Sequence, residues 1–318
     1  MSITTRAAQR PYDAVIIGAG AAGLSIAYEL ARAGARVAVV EREQPGSGAS
    51  GAAAGMLAAQ HEADGNTPFF RLCVAARDAY PAWVKQLEAE SGIDVELVQS
   101  GIVDLARDEH EAASLLERRR WQRDAGQPCE WWEPERVERE LPGVRGIAGA
   151  LYYPRDGHLR PPRLTQALAA ACRRAGVDLR VGVTALALHT AAGRVAGVET
   201  DDGTFLAQAT VLAAGADTGR LAAGWGVALP VHPVKGQILA VVPPPSLGGP
   251  WLQRLTPVFA PGVYLVPKRD GTVVVGATVE PEAGFDRRVT LAAVTQLGGA
   301  AGAILPAITH AEVHQLWT

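Results

Sequence analysis

An apolar run that feeds a glycine-rich turn restricts the fold of this 318-residue chain more than anything else in it. Residues 12–18 read YDAVIIG, a short run of the kind that forms a buried parallel strand, and it leads directly into Gly18, Gly20 and Gly23. From Ala21 onward Leu24, Ala27, Tyr28, Leu30 and Ala31 recur at helical spacing until Gly34 ends the pattern. A second strand, ARVAVVE, ends on Glu41, close to the spacing of about 20 residues at which an acidic side chain accepts ribose hydroxyls. Each glycine has a reason: Gly18 for the tight turn, Gly20 for backbone approach to a pyrophosphate, Gly23 for close packing of helix on strand. Free amides at the helix start then hold phosphate oxygens. The three glycines alone would also suit an empty turn, whereas the complete unit predicts a dinucleotide site. Glu41 in place of a basic residue speaks against a 2'-phosphate, and so against NADP.

This fingerprint does not separate NAD from FAD; the next segment bears on that choice. GSGASGAAAGML, from Gly46 to Leu57, is made almost wholly of small residues, which cannot build a core but can lay backbone amides along a flat cofactor, with Ser50 able to bond a phosphate. A flexible linker is the alternative, but this one ends in the apolar pair Met56-Leu57. Helical periodicity follows over 68–92 and 109–125, and again from Arg163 to Arg174, where Gly176 closes it. RVAGVETDDG has a hairpin turn at Asp202-Gly203, and TFLAQATVLAAGA then runs to Gly215, as a strand does when it re-enters a parallel sheet beside a cofactor. From Pro233 the pattern is all-β, with PVKGQILAVV and a hairpin, VYLVPKRDGTVVVGATVE, turning at Asp270-Gly271. Tyr264 in that hairpin either offers its hydroxyl to a cavity or packs at the surface. His158, in a turn, is expected to be exposed rather than to act as acid or base.

Composition excludes several classes. With 48% apolar and 20% charged residues the chain is globular, and a net charge of -3 gives no basic surface for nucleic acid. Arg118, Arg119 and Arg120 read as a solvated helix face, and the scarce lysines, at 85, 235 and 268, carry no functional signal. Cys73, Cys129 and Cys172 form no CxxC, so neither disulfide framework nor metal site is expected and a cytoplasmic location fits. No signal peptide is read in the polar N-terminal lead, and no apolar stretch is long and unbroken enough for a membrane span.

VIIGAGAAG, GAAAGML, ATVLAAGA, PVKGQ, YLVP with GAT, and LPAI followed by Trp317 together resemble the glycine oxidase branch of the D-amino-acid-oxidase-like FAD proteins, linked to the thiazole of thiamine, nearly end to end. The resemblance implies an α/β fold, α+β overall: a Rossmann-like FAD-binding domain over 1–80, 150–225 and 308–318, and a mainly antiparallel β substrate domain over 81–149 and 226–307. It places FAD contacts at Ala21, Ala22, Glu41, Arg42, Ala49, Ser50, Ala54, Gly55 and Met56, with Ala185 against the adenine, beside Gly18, Gly20, Gly23 and Gly215 read from the pattern. Met56 would also line the space before the flavin, and Tyr264 would be the active-site tyrosine, both positioning substrate. The implied chemistry is oxidation of a small amine, glycine giving glyoxylate, ammonia and hydrogen peroxide with oxygen as acceptor and no catalytic base. D-amino acid or sarcosine oxidase-like chemistry is the alternative, since pocket size separates these. Whether copies of the chain form a homo-oligomer is not decided by any residue pattern.

One departure stands out. The sequence stops at Trp317-Thr318, where the family continues through a Gly-Leu-Arg-Pro segment whose arginine grips the substrate carboxylate, and Arg254, Arg269, Arg287 and Arg288 have no context that would aim them there. The expectation is therefore a truncated glycine oxidase, either active or a silent flavin-binding remnant.

Overall fold

A computed structural model describes residues 10–318; the expected absence of a signal peptide, and the first nine residues of the FAD domain, lie outside them. In chain order the elements are β1 (Tyr12–Ile17), α1 (Ala21–Arg32), β2 (Val37–Glu41), α2 (Ala49–Ala52), β3 (Met56–Leu57), α3 (Pro68–Ser91), β4 (Ile102–Ala106), α4 (Glu109–Asp124), β5 (Glu130–Trp132), α5 (Pro134–Glu140), β6 (Gly149–Tyr153) and β7 (Gly157–His158). They continue with α6 (Pro161–Arg174), β8 (Asp178–Val181), β9 (Ala185–Ala191), β10 (Arg194–Thr200), β11 (Gly203–Leu212), α7 (Thr218–Gly224), β12 (Ile238–Val242), α8 (Pro250–Gln253), β13 (Val258–Ala260), β14 (Val263–Pro267), β15 (Val273–Gly276), α9 (Leu291–Ile304) and β16 (Glu312–Trp317). Two compact units result: one of the residues up to Ala53 with Leu87–Asp94 and Pro161–Pro233, the other of Ala54–Gln86, Val95–Arg160 and Val234–Thr318.

The first unit is built on a six-stranded sheet in the order β8-β2-β1-β11-β10-β9. β8, β2, β1 and β11 are parallel, as the near-continuous apolar runs of β1 and β2 require of strands covered on both faces. β11 is the strand that returns from the far end of the unit: it pairs parallel to β1 and, through the Asp202-Gly203 turn, antiparallel to β10. Val15, Ile17, Ala38, Val40, Val198 and Phe205 form the core beneath. Each fully buried valine or isoleucine among them contributes about 1.5–3 kcal/mol. α6 follows its predicted bounds closely and shows Leu164, Leu168 and Cys172 to the interior, at helical spacing.

The second unit holds an eight-stranded sheet, β16-β12-β15-β14-β13-β4-β6-β5, antiparallel throughout except where β13 meets β4. Leu239, Val241, Leu265, Val273 and Val275, on one face, pack with Leu297, Ala301 and Ile304 of α9. A polar network is also buried in this unit. Arg77, at 5% exposure, donates to Asp156 at 2.9 Å, to Gln60 at 2.9 Å and to Gln127 at 2.9 Å.

The units differ in their bounds from those expected. Residues 308–318, anticipated in the FAD domain, belong to the second unit because β16 adds to its sheet, Ile238 facing Trp317 and Leu239 facing Leu316 on β12. Residues 54–80 and 150–160 also fall there, while 226–233 and Leu87–Asp94, both expected in the substrate domain, join the first unit, where Glu90 takes the Tyr28 hydroxyl at 2.7 Å. Arg118 is not part of a freely solvated face: it donates to Asp104 at 3.1 Å and to the His61 carbonyl at 3.1 Å.

Candidate functional site

In the first unit the fingerprint forms a cradle from which side chains are excluded by contact. Gly18 has φ +106, and a Cβ there would lie 2.4 Å from the carbonyl oxygen of Ala213, just past β11. A Cβ at Gly23 would lie 2.0 Å from the Gly18 oxygen. The return strand thus presses on the turn as its apolar run into Gly215 suggested. α1 starts on Gly20 with no side-chain cap at that residue, and Ala22 in its first turn is exposed. A helix start that takes no side-chain cap from its own N-cap residue, set over bare glycine, suits an anion.

The neighbouring residues set this cradle. The Ser50 hydroxyl accepts from the Ala21 amide at 2.9 Å and keeps its own proton to donate onward. Glu41, at the end of β2, accepts from the Ala19 amide at 2.7 Å and from the Glu43 amide at 2.8 Å. Arg42 is tied to Asp217 at 2.7 Å, the acid that follows Gly215 by two residues. Ala49 opens α2, and Ala185 opens β9 at partial exposure. These residues fit FAD on three counts: the bare turn, a helix start whose N-cap is glycine, and an acid where the ribose would lie. Arg42 was readable from sequence only through resemblance, and its partner Asp217 gave no signal at all.

In the second unit β3 and β7 form a short ladder with Met56 facing His158, and the Gly55 carbonyl accepts from the Leu159 amide at 2.9 Å. His158 is 1% exposed, which corrects the expectation of an exposed turn residue. Its Nε2 meets the Leu255 carbonyl at 2.8 Å, and because a carbonyl only accepts, the ring hydrogen sits there and Nδ1 keeps its lone pair. Lys268 Nζ approaches that Nδ1 at 3.3 Å. Burial pushes the His158 imidazole down to about 3, with the Lys268 charge adding to the effect, so it is neutral. Neither role was legible in the sequence, where the scarce lysines read as carrying no functional signal; burial of Lys268 against His158 corrects that reading.

Tyr264 lies in a row that crosses four strands: Asp104 on β4 faces Phe259 on β13, Phe259 faces Tyr264 on β14, and Tyr264 faces Gly276 on β15. A Cβ at Gly276 would lie 2.4 Å from the Tyr264 hydroxyl, so the ring lies over a deliberately bare position. Phe259 meets Tyr264 edge to face at 5.7 Å, and His61 stacks on Phe259 at 3.6 Å with Nδ1 on Asp104 at 2.9 Å. Among the described residues the Tyr264 hydroxyl has no hydrogen-bond partner. Burial, with the Glu62 charge second, pushes it up to about 12, so it remains a phenol that can donate to a ligand. Met56 packs against the same two clusters as Tyr264, one containing Phe259 and Tyr153, the other Ala54, Ile238, Val266 and Val274. His61 and its Asp104 partner were missed, being remote in sequence from each other and from Tyr264.

Among the described residues no helix is long and apolar enough to cross a membrane. Residues 13–318 match the family described as DAO, FAD dependent oxidoreductase. A protein named glycine oxidase from Geobacillus kaustophilus (strain HTA426) is 39% identical over 312 residues, 96% of this chain and 80% of that protein. A bifunctional protein ThiO/ThiG from Trichormus variabilis (strain ATCC 29413 / PCC 7937) is 34% identical over 96% of this chain and 45% of its own length. The crystal structure of glycine oxidase from Geobacillus kaustophilus superposes with a TM-score of 0.90 at 37% identity, covering 97% of this chain and 82% of that one.

Proposed function

The chain belongs to the DAO family of FAD-dependent oxidoreductases, and from that premise we propose that it oxidises glycine, or a small amine of similar size, to the oxo acid with release of ammonia and hydrogen peroxide. The likeness to ThiO/ThiG supports a place for this reaction in thiamine biosynthesis. The observation that carries the reading is the half-buried, unpartnered phenol of Tyr264 over Gly276, sharing its clusters with Met56. Such a phenol offers one directed hydrogen bond inside apolar walls, enough to orient a small zwitterion and too little to hold a large polar one.

In this reading FAD supplies the two-electron acceptor for the α-carbon hydride and hands the electrons on to oxygen. The protein's share is binding and orientation. The start of α1 at Gly20 and Ala22, set over the bare turn of Gly18 and Gly23 with Ala21 held on Ser50, would take the pyrophosphate, and Glu41 would take the ribose. Ser50, whose hydroxyl accepts from the Ala21 amide, turns its proton to a phosphate oxygen. Arg42, held by Asp217, and Ala185 border the adenosine end. The Ala54–Gly55–Met56 segment would line the ring, and Tyr264 would donate to the substrate, fixing the carbon to be oxidised. Once the bound amine has released its extra proton to water, loss of the hydride leaves an iminium that water hydrolyses to the oxo acid and ammonia, so no side chain has to take a proton from the α-carbon.

The test is a visible absorption spectrum of the purified chain, followed by glycine under air with peroxide detection. A flavin band and glycine-dependent peroxide support the reading. A flavin band with turnover of sarcosine or a D-amino acid but not glycine would replace glycine as substrate; flavin with no turnover of any of these sinks the catalytic reading.

A further inference from the structure

Lys268 takes no part in the reaction just proposed, yet it is the most deeply placed cation near the segment assigned to the flavin. At 5% exposure it follows β14, and among the described residues no carboxylate lies within ion-pair distance of Nζ. A buried ammonium without a counter-ion is costly unless every hydrogen finds an acceptor. Here all three do: the Ala54 carbonyl at 2.7 Å, the Leu159 carbonyl at 3.1 Å and the His158 Nδ1 lone pair at 3.3 Å. A neutral amine, with two hydrogens, would leave one of these acceptors facing a lone pair.

The three acceptors belong to one small structure. Ala54 precedes β3, His158 ends β7 with Leu159 next to it, and the Gly55 carbonyl is fixed by the Leu159 amide. In a trans peptide the carbonyl and the next amide hydrogen point in opposite directions. With the Ala54 carbonyl turned onto Lys268, the Gly55 amide hydrogen points away from it; with the Gly55 carbonyl turned onto Leu159, the Met56 amide points away from β7. Gly55 adopts φ +87, a conformation that L side chains rarely take, so this peptide orientation is built in on both sides.

We propose that Lys268 is a positioning residue for the flavin: its ammonium holds the Ala54 and Leu159 carbonyls so that the Gly55 and Met56 amides are presented to the ring. This rests on the assignment of Ala54–Met56 to the flavin. His158 serves as the third anchor, and its neutral state is a requirement, since an imidazolium would repel the ammonium. The other charged groups facing Lys268 are Arg160, Glu96 and Asp270, with Arg269 acting on His158.

The experiment measures the dissociation constant and band shape of FAD with the full chain and with Lys268→Met and Gly55→Ala. Lys268→Met is expected to weaken FAD binding about 10- to 100-fold, the effect of losing hydrogen bonds to a charged group, and to alter the resolved shape of the flavin band. Burial holds the Lys268 ammonium down to about 7, so wild-type affinity should fall as pH rises from about 6 to about 9, while Lys268→Met should be flat in that range. His158 is neutral across the whole window and does not contribute. A folded Lys268→Met chain that binds FAD with wild-type affinity overturns the proposal. So does a flat wild-type pH profile, which decides the matter if the variant does not fold. If Gly55→Ala weakens FAD binding and Lys268→Met does not, only the role of Lys268 is lost; if neither changes it, the assignment of the segment to flavin falls as well.

Discussion

The two units prepare for ligands in opposite ways. In the first, the cradle is made by what is missing: Gly18 and Gly23 have no room for a Cβ, and Gly20 gives α1 no side-chain cap of its own. In the second, geometry is imposed by side chains that arrive from separate segments, with Lys268 and His158 bracing β3 and with Asp104, His61 and Phe259 lined up toward Tyr264. Backbone cradles tolerate no additions, whereas side-chain scaffolds tolerate few removals.

That contrast can be broken most sharply at Gly23. Gly23→Val should abolish flavin binding outright, because the new side chain meets the Gly18 carbonyl at 2.0 Å from its first carbon; a purified variant that is still yellow would show that the turn can yield. Next in size is Arg77→Met in the second unit. Removing one member of the buried pair with Asp156 should cost about 3–5 kcal/mol, read from chemical denaturation of the variant against wild type. A loss below about 1 kcal/mol would mean that the network of Gln60, Gln127 and Asp156 repairs itself.

Smaller and more selective is Tyr264→Phe. It should raise KM for glycine about tenfold, the loss of one hydrogen bond to a charged substrate, and leave FAD affinity unchanged. With its phenol pushed up to about 12, wild type should show no loss of substrate binding from tyrosine ionisation near pH 10, where an ordinary tyrosine would lose its proton. An ionisation that weakens KM close to pH 10 and is absent from the phenylalanine variant would show the hydroxyl to be better solvated than it is here. Smallest is Asp108→Ala, which removes the cap that accepts from the Glu111 amide at 2.8 Å at the start of α4. About 1 kcal/mol of stability should go, with flavin binding untouched; a change in flavin binding would tie the start of α4 to the ligand.

The same contrast explains what could be read from the residues. β1, the glycine turn, α1 and Glu41 follow one another within a single local unit, so periodicity and spacing were enough to place them. Both hairpins were visible through their Asp-Gly turns, and the return of β11 to the parallel sheet through its apolar run into Gly215. By contrast, His61 and Asp104, or Ala54 and Lys268, are brought together only by tertiary folding, and no local pattern encodes such a meeting. His158 looked like a turn histidine because turns are usually wet; here the turn is covered and Lys268 donates to the ring. β16 was assigned by analogy to the nucleotide half, whereas the pairing of Ile238 with Trp317 seats it beside β12.

The double pairing of β11 also governs when the first unit can come into being. β1 finds β2 on one edge within a short span of chain, but its other edge must wait for β11, whose register sets Tyr12 against Ala207 and Ile17 against Leu212, so that ladder closes over a very long loop. During synthesis the ribosome has to release the chain past Ala213 before that residue can close on Gly18, by which time β4 to β6 have already emerged. Folding of the nucleotide cradle is therefore a late, slow event dominated by distant contacts, and an aborted chain that stops short of β11 would expose the apolar edge of β1 to aggregation.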